Sequence, residues 1–213
     1  MTFVLGLTGS IGMGKSTTSA MFQKHLVPVY DADATVHALY RGAAAHLIEQ
    51  RFPGTVSDGV VDRKRLGAQV LGHPEALKDL EAIIHPLVRA AEQQFIREHA
   101  RQQTPLIVLD IPLLFETGGQ QRVDAICVVT APADIQRQRV LERQTMTEEQ
   151  FNVILAKQWP DDQKRKQADC LVDTSQGLEF AEQQVQQIIE TYRHQTGTVA
   201  SAMLNQKDHP THA

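Results

Sequence analysis

The stretch GSIGMGKS, running from Gly9 to Ser16, limits the possible folds more than any other part of the chain. It follows the pattern G-x-x-x-x-G-K-[ST], in which glycines let the backbone turn tightly so that successive N–H groups point at phosphate oxygens. Ser10 and Met13 occupy free positions of that pattern. The apolar, strand-like run Phe3–Leu7 leads into the loop and a helical pattern from Thr17 to Lys24 leads out. This strand–loop–helix context is what a phosphate cradle needs, because the positive end of the helix supports the inward-facing N–H groups. Lys15 adds a point charge for the β- and γ-phosphates, and Ser16 offers a hydroxyl to a bound Mg²⁺. Gly9, Gly12, Met13, Gly14, Lys15, Ser16 and Thr17 are therefore the expected nucleotide contacts.

Further apolar, β-branched segments at Val27–Tyr30, Leu106–Ile111, Ala125–Val129 and, more weakly, Cys170–Val172 read as buried strands separated by helical periods. Such alternation argues an α/β fold with a parallel sheet between two helical layers. The clearest helix carries Leu178, Ala181, Val185, Ile188, Ile189 and Tyr192 on one face, a core stripe. Between Tyr40 and Thr104 no strand is expected, only helical patterns broken by FPGTVSDG and LGHPE. That region, about 41–103, reads as a helical insertion, the usual place for a substrate site on a common core. The expected organisation is one domain over 1–193, with its core at about 1–40 and 104–193, followed by a disordered tail over 194–213. His209 and His212 in that tail are expected to be inert.

With 213 residues, 42% of them hydrophobic and 22% charged, the chain is long and apolar enough for a sizeable core. Lys and Arg number 21 against 25 Asp and Glu, a net charge of −4 that argues against nucleic acid as the main partner. Cys127 and Cys170 sit inside apolar runs and read as small buried hydrophobes of a reducing compartment. No run approaches the roughly 20 apolar residues of a membrane span. The amino terminus lacks a basic region before its apolar stretch, so no signal peptide and a cytoplasmic location are expected.

A phosphate loop implies a nucleoside triphosphate without stating its fate. The D-x-x-G and N-K-x-D signatures of switch GTPases are missing, and the length leaves no second domain for a motor to move. A small-molecule kinase remains. Asp31 and Asp33, in YDAD directly after the second strand, stand where open α/β sheets bind ligands. One of them can orient an acceptor hydroxyl and take its proton; the other can serve a metal-bound water or cap the following helix. Helix capping by both, and a sugar-nucleotide D-x-D, are the competing readings.

GLTGSIGMGKST, VYDADATVHALY, IIHPLV, LDIPLLFE, QRQRVLER and ADCLVDTSQG follow one another as in the dephospho-CoA kinases, and from about Phe3 to Tyr192 the chain resembles that family. The resemblance implies a phosphate-loop kinase of the nucleotide-kinase type that uses ATP and Mg²⁺ to phosphorylate the ribose 3′-hydroxyl of dephospho-CoA. It implies Asp33 as the base at the acceptor hydroxyl, and His85, with Pro86, opening a helix of the acceptor-binding insertion. It places Glu116, in the PLLFE segment, at the acceptor. It makes Arg139 the start of a lid over about 140–167, reaching the transferring phosphate, with Arg143 on the same helix face. Asp110, ending a strand, could hold Mg²⁺ through water. Thr174 stands where the family typically has Asn, which bears on the preference for ATP over GTP. The expected partner is a small molecule, and the expected state a monomer or small homo-oligomer. Another nucleoside or nucleotide kinase on the same core is the alternative.

Overall fold

The computed structural model describes residues 1–205. These fall into two compact units, one made of Met1–Tyr30 and the described residues from Ile96 onward, the other of Asp31–Phe95. The second unit overlaps the expected insertion, with both boundaries earlier in the chain.

In chain order the elements are β1 (Phe3–Thr8), α1 (Lys15–Lys24), β2 (Val29–Asp31), α2 (Ala32–Leu39), α3 (Ala43–Arg51), β3 (Val56–Ser57), β4 (Val60–Val61), α4 (Arg63–Val70) and α5 (Pro74–Arg101). Then come β5 (Leu106–Asp110), a 3₁₀ turn (Gly119–Arg122), β6 (Ala125–Thr130), α6 (Ala133–Glu142), α7 (Glu148–Leu155), α8 (Asp161–Lys166), β7 (Cys170–Asp173), α9 (Leu178–Tyr192) and α10 (Val199–Asn205).

The first unit is built on a five-stranded parallel sheet in the order β2-β5-β1-β6-β7. Leu5 of β1 lies between Val108 of β5 and Ala125 of β6. Every residue of β1, β5 and β6 is buried, which is why these strands read as unbroken apolar runs without alternation. Against one set of strand side chains pack Met21 and Phe22 of α1 and the Ala181, Val185, Ile188, Ile189 and Tyr192 stripe of α9. The Phe3 and Tyr192 rings stack with centroids 5.0 Å apart. The parallel order sends β1, β5, β6 and β7 to one sheet edge at Thr8, Asp110, Thr130 and Asp173, where the loops that follow them meet.

The expectation of a disordered tail from His194 is corrected as far as Asn205. α10 forms there with Ala200 buried. Its start is pinned by Asp124, whose Oδ1 accepts hydrogen bonds from Thr198 N (2.7 Å), Thr198 Oγ1 (2.8 Å) and Val199 N (3.0 Å). Gly197 is required for this approach, since a Cβ there would stand 2.0 Å from the Thr2 carbonyl oxygen. The anchor is a distant carboxylate, so the tail's own lack of apolar period conceals it. His209 and His212 lie outside the described residues.

The second unit is helical with one exception. β3 and β4 form a small antiparallel hairpin, correcting the expectation of no strand between Tyr40 and Thr104. Its turn is Asp58-Gly59, both at positive φ (51° and 76°), the backbone that a two-residue hairpin with natural twist demands. Asp31 caps α2 by accepting from Ala34 N at 2.9 Å, and Asp62 caps α4 through Lys64 N and Arg65 N. Ala44, Ala45, Ile48, Phe52, Val61, Leu66, Val70, Leu80 and Ile84 form the core. Pro86 lies inside α5, so the His85–Pro86 pair does not open a helix as expected. An internal proline costs about 3 kcal/mol, yet Ile83, Ile84, Leu87 and Val88 around it all pack on that core. Burial of that stripe carries the helix through the proline.

Candidate active site

In the first unit β1 hands the chain to the phosphate loop at Thr8, whose hydroxyl donates to the Pro112 carbonyl (3.1 Å). Two glycines of the loop stand at positive φ. Gly12 has φ 81°, and a Cβ on it would stand 2.6 Å from Val140 Cγ2 and 2.9 Å from the Gln136 carbonyl oxygen. Gly14 has φ 91° and occupies the N-cap position of α1 without any side-chain cap. The first-turn N–H groups of a helix have no intrahelical partner, so a loop that leaves them uncapped presents them to an anion. The Met13 side chain is buried, and its Sδ accepts the Ala131 N–H at 3.2 Å, fastening the loop to the end of β6. A position left free by the motif thus has a structural task. Lys15 Nζ is ion-paired with Asp110 Oδ1 at the end of β5. Ser16 and Thr17 are exposed on the first turn of α1.

The walls come from the chain beyond β6. Gln136 Nε2 donates to the Ile11 carbonyl (2.6 Å), and Ile11 N donates to Gln158 Oε1 (3.0 Å). Arg139 Nη1 donates to Thr174 Oγ1 (2.7 Å) and Arg139 Nη2 to the Thr174 carbonyl (2.6 Å). Arg139 and Arg143, one helical turn apart, line a cavity of about 230 Å³ with Gly14, Thr17, Thr18 and Thr174. The structure therefore brings together the loop, Lys15, Asp110, Arg139 and Arg143. Gln136, Gln158 and Thr130 belong to the same construction and were not expected. Of these only Gln136 had a sequence signal, lying three residues before Arg139 on one helix face.

Glu116 has a different environment from the one the resemblance implies. Its Oε1 accepts the Trp159 N–H (2.7 Å) and lies 2.9 Å from Nζ of Lys164, a fully buried lysine. The neighbouring Phe115 ring stacks on Trp159 at 5.4 Å, and Asp161 Oδ2 accepts from the Thr130 hydroxyl at 2.7 Å. The carboxylate of Glu116 thus fastens the 159–164 segment within the first unit.

In the second unit Asp33 is exposed in the first turn of α2. With His37, Tyr40, Arg63, Leu66 and Leu80 it lines a cavity of about 440 Å³. His37 is at i+4 and Tyr40 at i+7 from Asp33, so one helix face supplies three lining groups. Burial raises the Tyr40 hydroxyl pKa, with Arg63 opposing it. The walls are apolar below and polar at Asp33, His37 and Arg63, a combination suited to an amphipathic ligand carrying negative charge. His85 is exposed on α5 and does not line this cavity.

Among the described residues no group of three or more His, Cys, Asp or Glu side chains could hold a metal by itself. The Ser16 hydroxyl and the Asp110 carboxylate are hard oxygen donors of the kind Mg²⁺ takes alongside phosphate and water. No helix of the described residues is long and apolar enough to cross a membrane.

A family model described as dephospho-CoA kinase matches residues 3–179. A Mesorhizobium japonicum protein named dephospho-CoA kinase is 61% identical over 195 residues, which is 92% of this chain and 99% of that protein. One of the same name from Bradyrhizobium diazoefficiens is 55% identical over 186 residues, 87% of this chain and 94% of that protein. A solved structure from Thermus thermophilus superposes with a TM-score of 0.76 at 33% identity, covering 89% of this chain and 96% of the other. The fold is shared as well by the dephospho-CoA kinase of Campylobacter jejuni, with a TM-score of 0.65 at 23% identity over 90% of this chain and 97% of that one. With a phosphate loop braced on Asp110, two arginines on one cavity wall and this extent of likeness, the chain belongs to the dephospho-CoA kinase family.

Proposed function

We propose that this protein transfers the γ-phosphoryl group of ATP to the ribose 3′-hydroxyl of dephospho-CoA, releasing ADP and coenzyme A. The observation that carries the reading is the intact phosphate loop, with uncapped helix start and braced Lys15, in a chain 61% identical to a named dephospho-CoA kinase. The 3′-oxygen attacks the γ-phosphorus as the bond to the bridging β–γ oxygen breaks, and the electrons of that bond leave with ADP. The 3′-hydroxyl proton passes to Asp33, an exposed carboxylate able to accept it. The loop N–H groups and Lys15 bind the β- and γ-phosphates. Arg139 meets the negative charge that spreads over the equatorial oxygens in the transition state, a role worth about 10³ or more in rate. Arg143 serves the nucleotide from the same helix. A bound Mg²⁺, held by Ser16 and through water by Asp110, would neutralise charge on the β,γ-oxygens.

The cavity around Asp33, Tyr40 and Arg63 is assigned to the acceptor. The lid is assigned to about 140–167. Its closing part is confined to the residues before Gln158, because Gln158, Trp159, Asp161 and Lys164 are already tied to Ile11, Glu116 and Thr130. Closure would exclude water that otherwise hydrolyses ATP. The enzyme is assigned to the cytoplasm, as a monomer or small homo-oligomer acting on small molecules. A coupled ADP-release assay tests the reading: ADP should form only with ATP and dephospho-CoA together. No ADP with dephospho-CoA, alongside rapid turnover of a nucleoside monophosphate, would overturn it.

A further inference from the structure

Thr174 follows β7 directly and is buried. Its N–H donates to the Thr130 carbonyl at 3.0 Å, continuing the sheet ladder one residue past the strand. The hydroxyl lies 2.8 Å from the Met13 carbonyl of the phosphate loop, with the Thr130 carbonyl a poorer partner at 3.4 Å. The same oxygen stands 2.7 Å from Arg139 Nη1, and the Thr174 carbonyl 2.6 Å from Arg139 Nη2. A guanidinium only donates and a hydroxyl carries one proton. The direction is therefore decided: Arg139 donates to Thr174, and Thr174 donates to Met13. Gly14 keeps the two parts close, since a Cβ on it would stand 3.1 Å from Thr174 Cγ2.

Arginine is long and rich in rotamers, and a charge meant for one transition state must be held in place before the reaction. Two hydrogen bonds to one residue fix both the position and the plane of the guanidinium. The backbone bond alone would leave it free to swing about Nη2. The hydroxyl bond also ties that plane to the loop that holds the phosphates, so arginine and phosphate share one frame.

We propose that Thr174 is a positioning residue that registers Arg139 on the phosphate loop, a role that rests on the reading of Arg139 as the group that meets the transferring phosphoryl. Thr174→Val keeps the shape and the backbone bond but removes the hydroxyl; Thr174→Ser restores it. Thr174→Val is expected to lower kcat about 10- to 100-fold, as a misplacement of about 1 Å does, with KM for dephospho-CoA changed less than about twofold. Thr174→Ser should recover kcat to within about threefold. In an Arg139→Ala background Thr174→Val should add no further loss, because residues acting as a unit are not additive. Losses that multiply in the double variant, or a Thr174→Val change confined to KM for ATP, would overturn the proposal. The ¹⁵N guanidinium resonances of Arg139, recorded without substrate, distinguish its failure from that of the kinase reading. Slow Nη rotation in wild type and Thr174→Ser, lost in Thr174→Val, supports the tether. Fast rotation in the wild type overturns it. A wild type that keeps the tether but never phosphorylates dephospho-CoA overturns the kinase reading alone.

Discussion

The two compact units prepare for a ligand by different physical means. In the first, the cradle assigned to the nucleotide rests on backbone, with the Lys15, Arg139 and Arg143 side chains added to it: a loop with two glycines at positive φ, an uncapped helix start, and strand ends brought to one edge by the parallel order. Side chains there mostly brace that backbone, as Met13, Gln136 and Thr174 do, while Asp110 braces the Lys15 side chain. In the second, Asp31 and Asp62 cap the helices that follow them, and the cavity is lined mainly by side chains. A backbone cradle tolerates almost no change of residue at its tight points, whereas a side-chain pocket can be rebuilt for another ligand on the same helices. This is the physical reason a shared core can carry varied acceptor sites.

That contrast makes predictions of decreasing size. Asp33→Asn should lower kcat by about 10²- to 10⁴-fold, the usual worth of a general base. ATP affinity by calorimetry should stay unchanged; a parallel loss of ATP binding would break the division of labour. Gly12→Ala should do the opposite. It meets Val140 and Gln136 in the left-handed region, adding about 1–3 kcal/mol of overpacking to about 1–2 kcal/mol of backbone strain. ATP affinity should fall more than tenfold, read by the same titration. Ile48→Ala, at a fully buried position of the second unit's core, should cost about 2–4 kcal/mol in urea unfolding and raise KM for dephospho-CoA more than KM for ATP.

Asp124→Ala should release α10 at a cost of about 1–2 kcal/mol, the range of a lost helix cap. Amide exchange over 198–205 would accelerate while kcat stays within about twofold. The smallest effect is expected at Glu49, which accepts from Gly54 N (2.7 Å), Thr55 N (3.1 Å) and Val56 N (2.8 Å). These hydrogen bonds, that of Gly54 foremost, hold its pKa below the usual carboxylate value. A lowered native pKa contributes stability above the unfolded pKa, lost as pH falls through the native one. Glu49→Gln should therefore lower Tm at pH 7, and its difference from wild type should shrink below about pH 4.

Several particulars were legible in the residues themselves. The loop was, because its glycines answer a local steric demand that any phosphate cradle makes. The α9 stripe and the buried strands were, because burial on one face or two imprints a period. The β3–β4 hairpin was missed although its Asp-Gly turn is a strong signal, since strands of two residues carry no alternation. Pro86 misled because a local rule about proline yields to a stripe of apolar neighbours that pack at a distance. The order of α10 was invisible because Asp124 lies 74 residues before Thr198.

Chain chemistry by itself thus determined the α/β class, the phosphate loop and the family, all of which rest on short-range patterns and on motif order. Tertiary structure alone decided that Lys15 is braced by Asp110, that Glu116 fastens the 159–164 segment, and that Arg139 is held through Thr174 to Met13. Each of those contacts joins segments that end or follow different strands. Their partners are chosen by the sheet order, which no local period records.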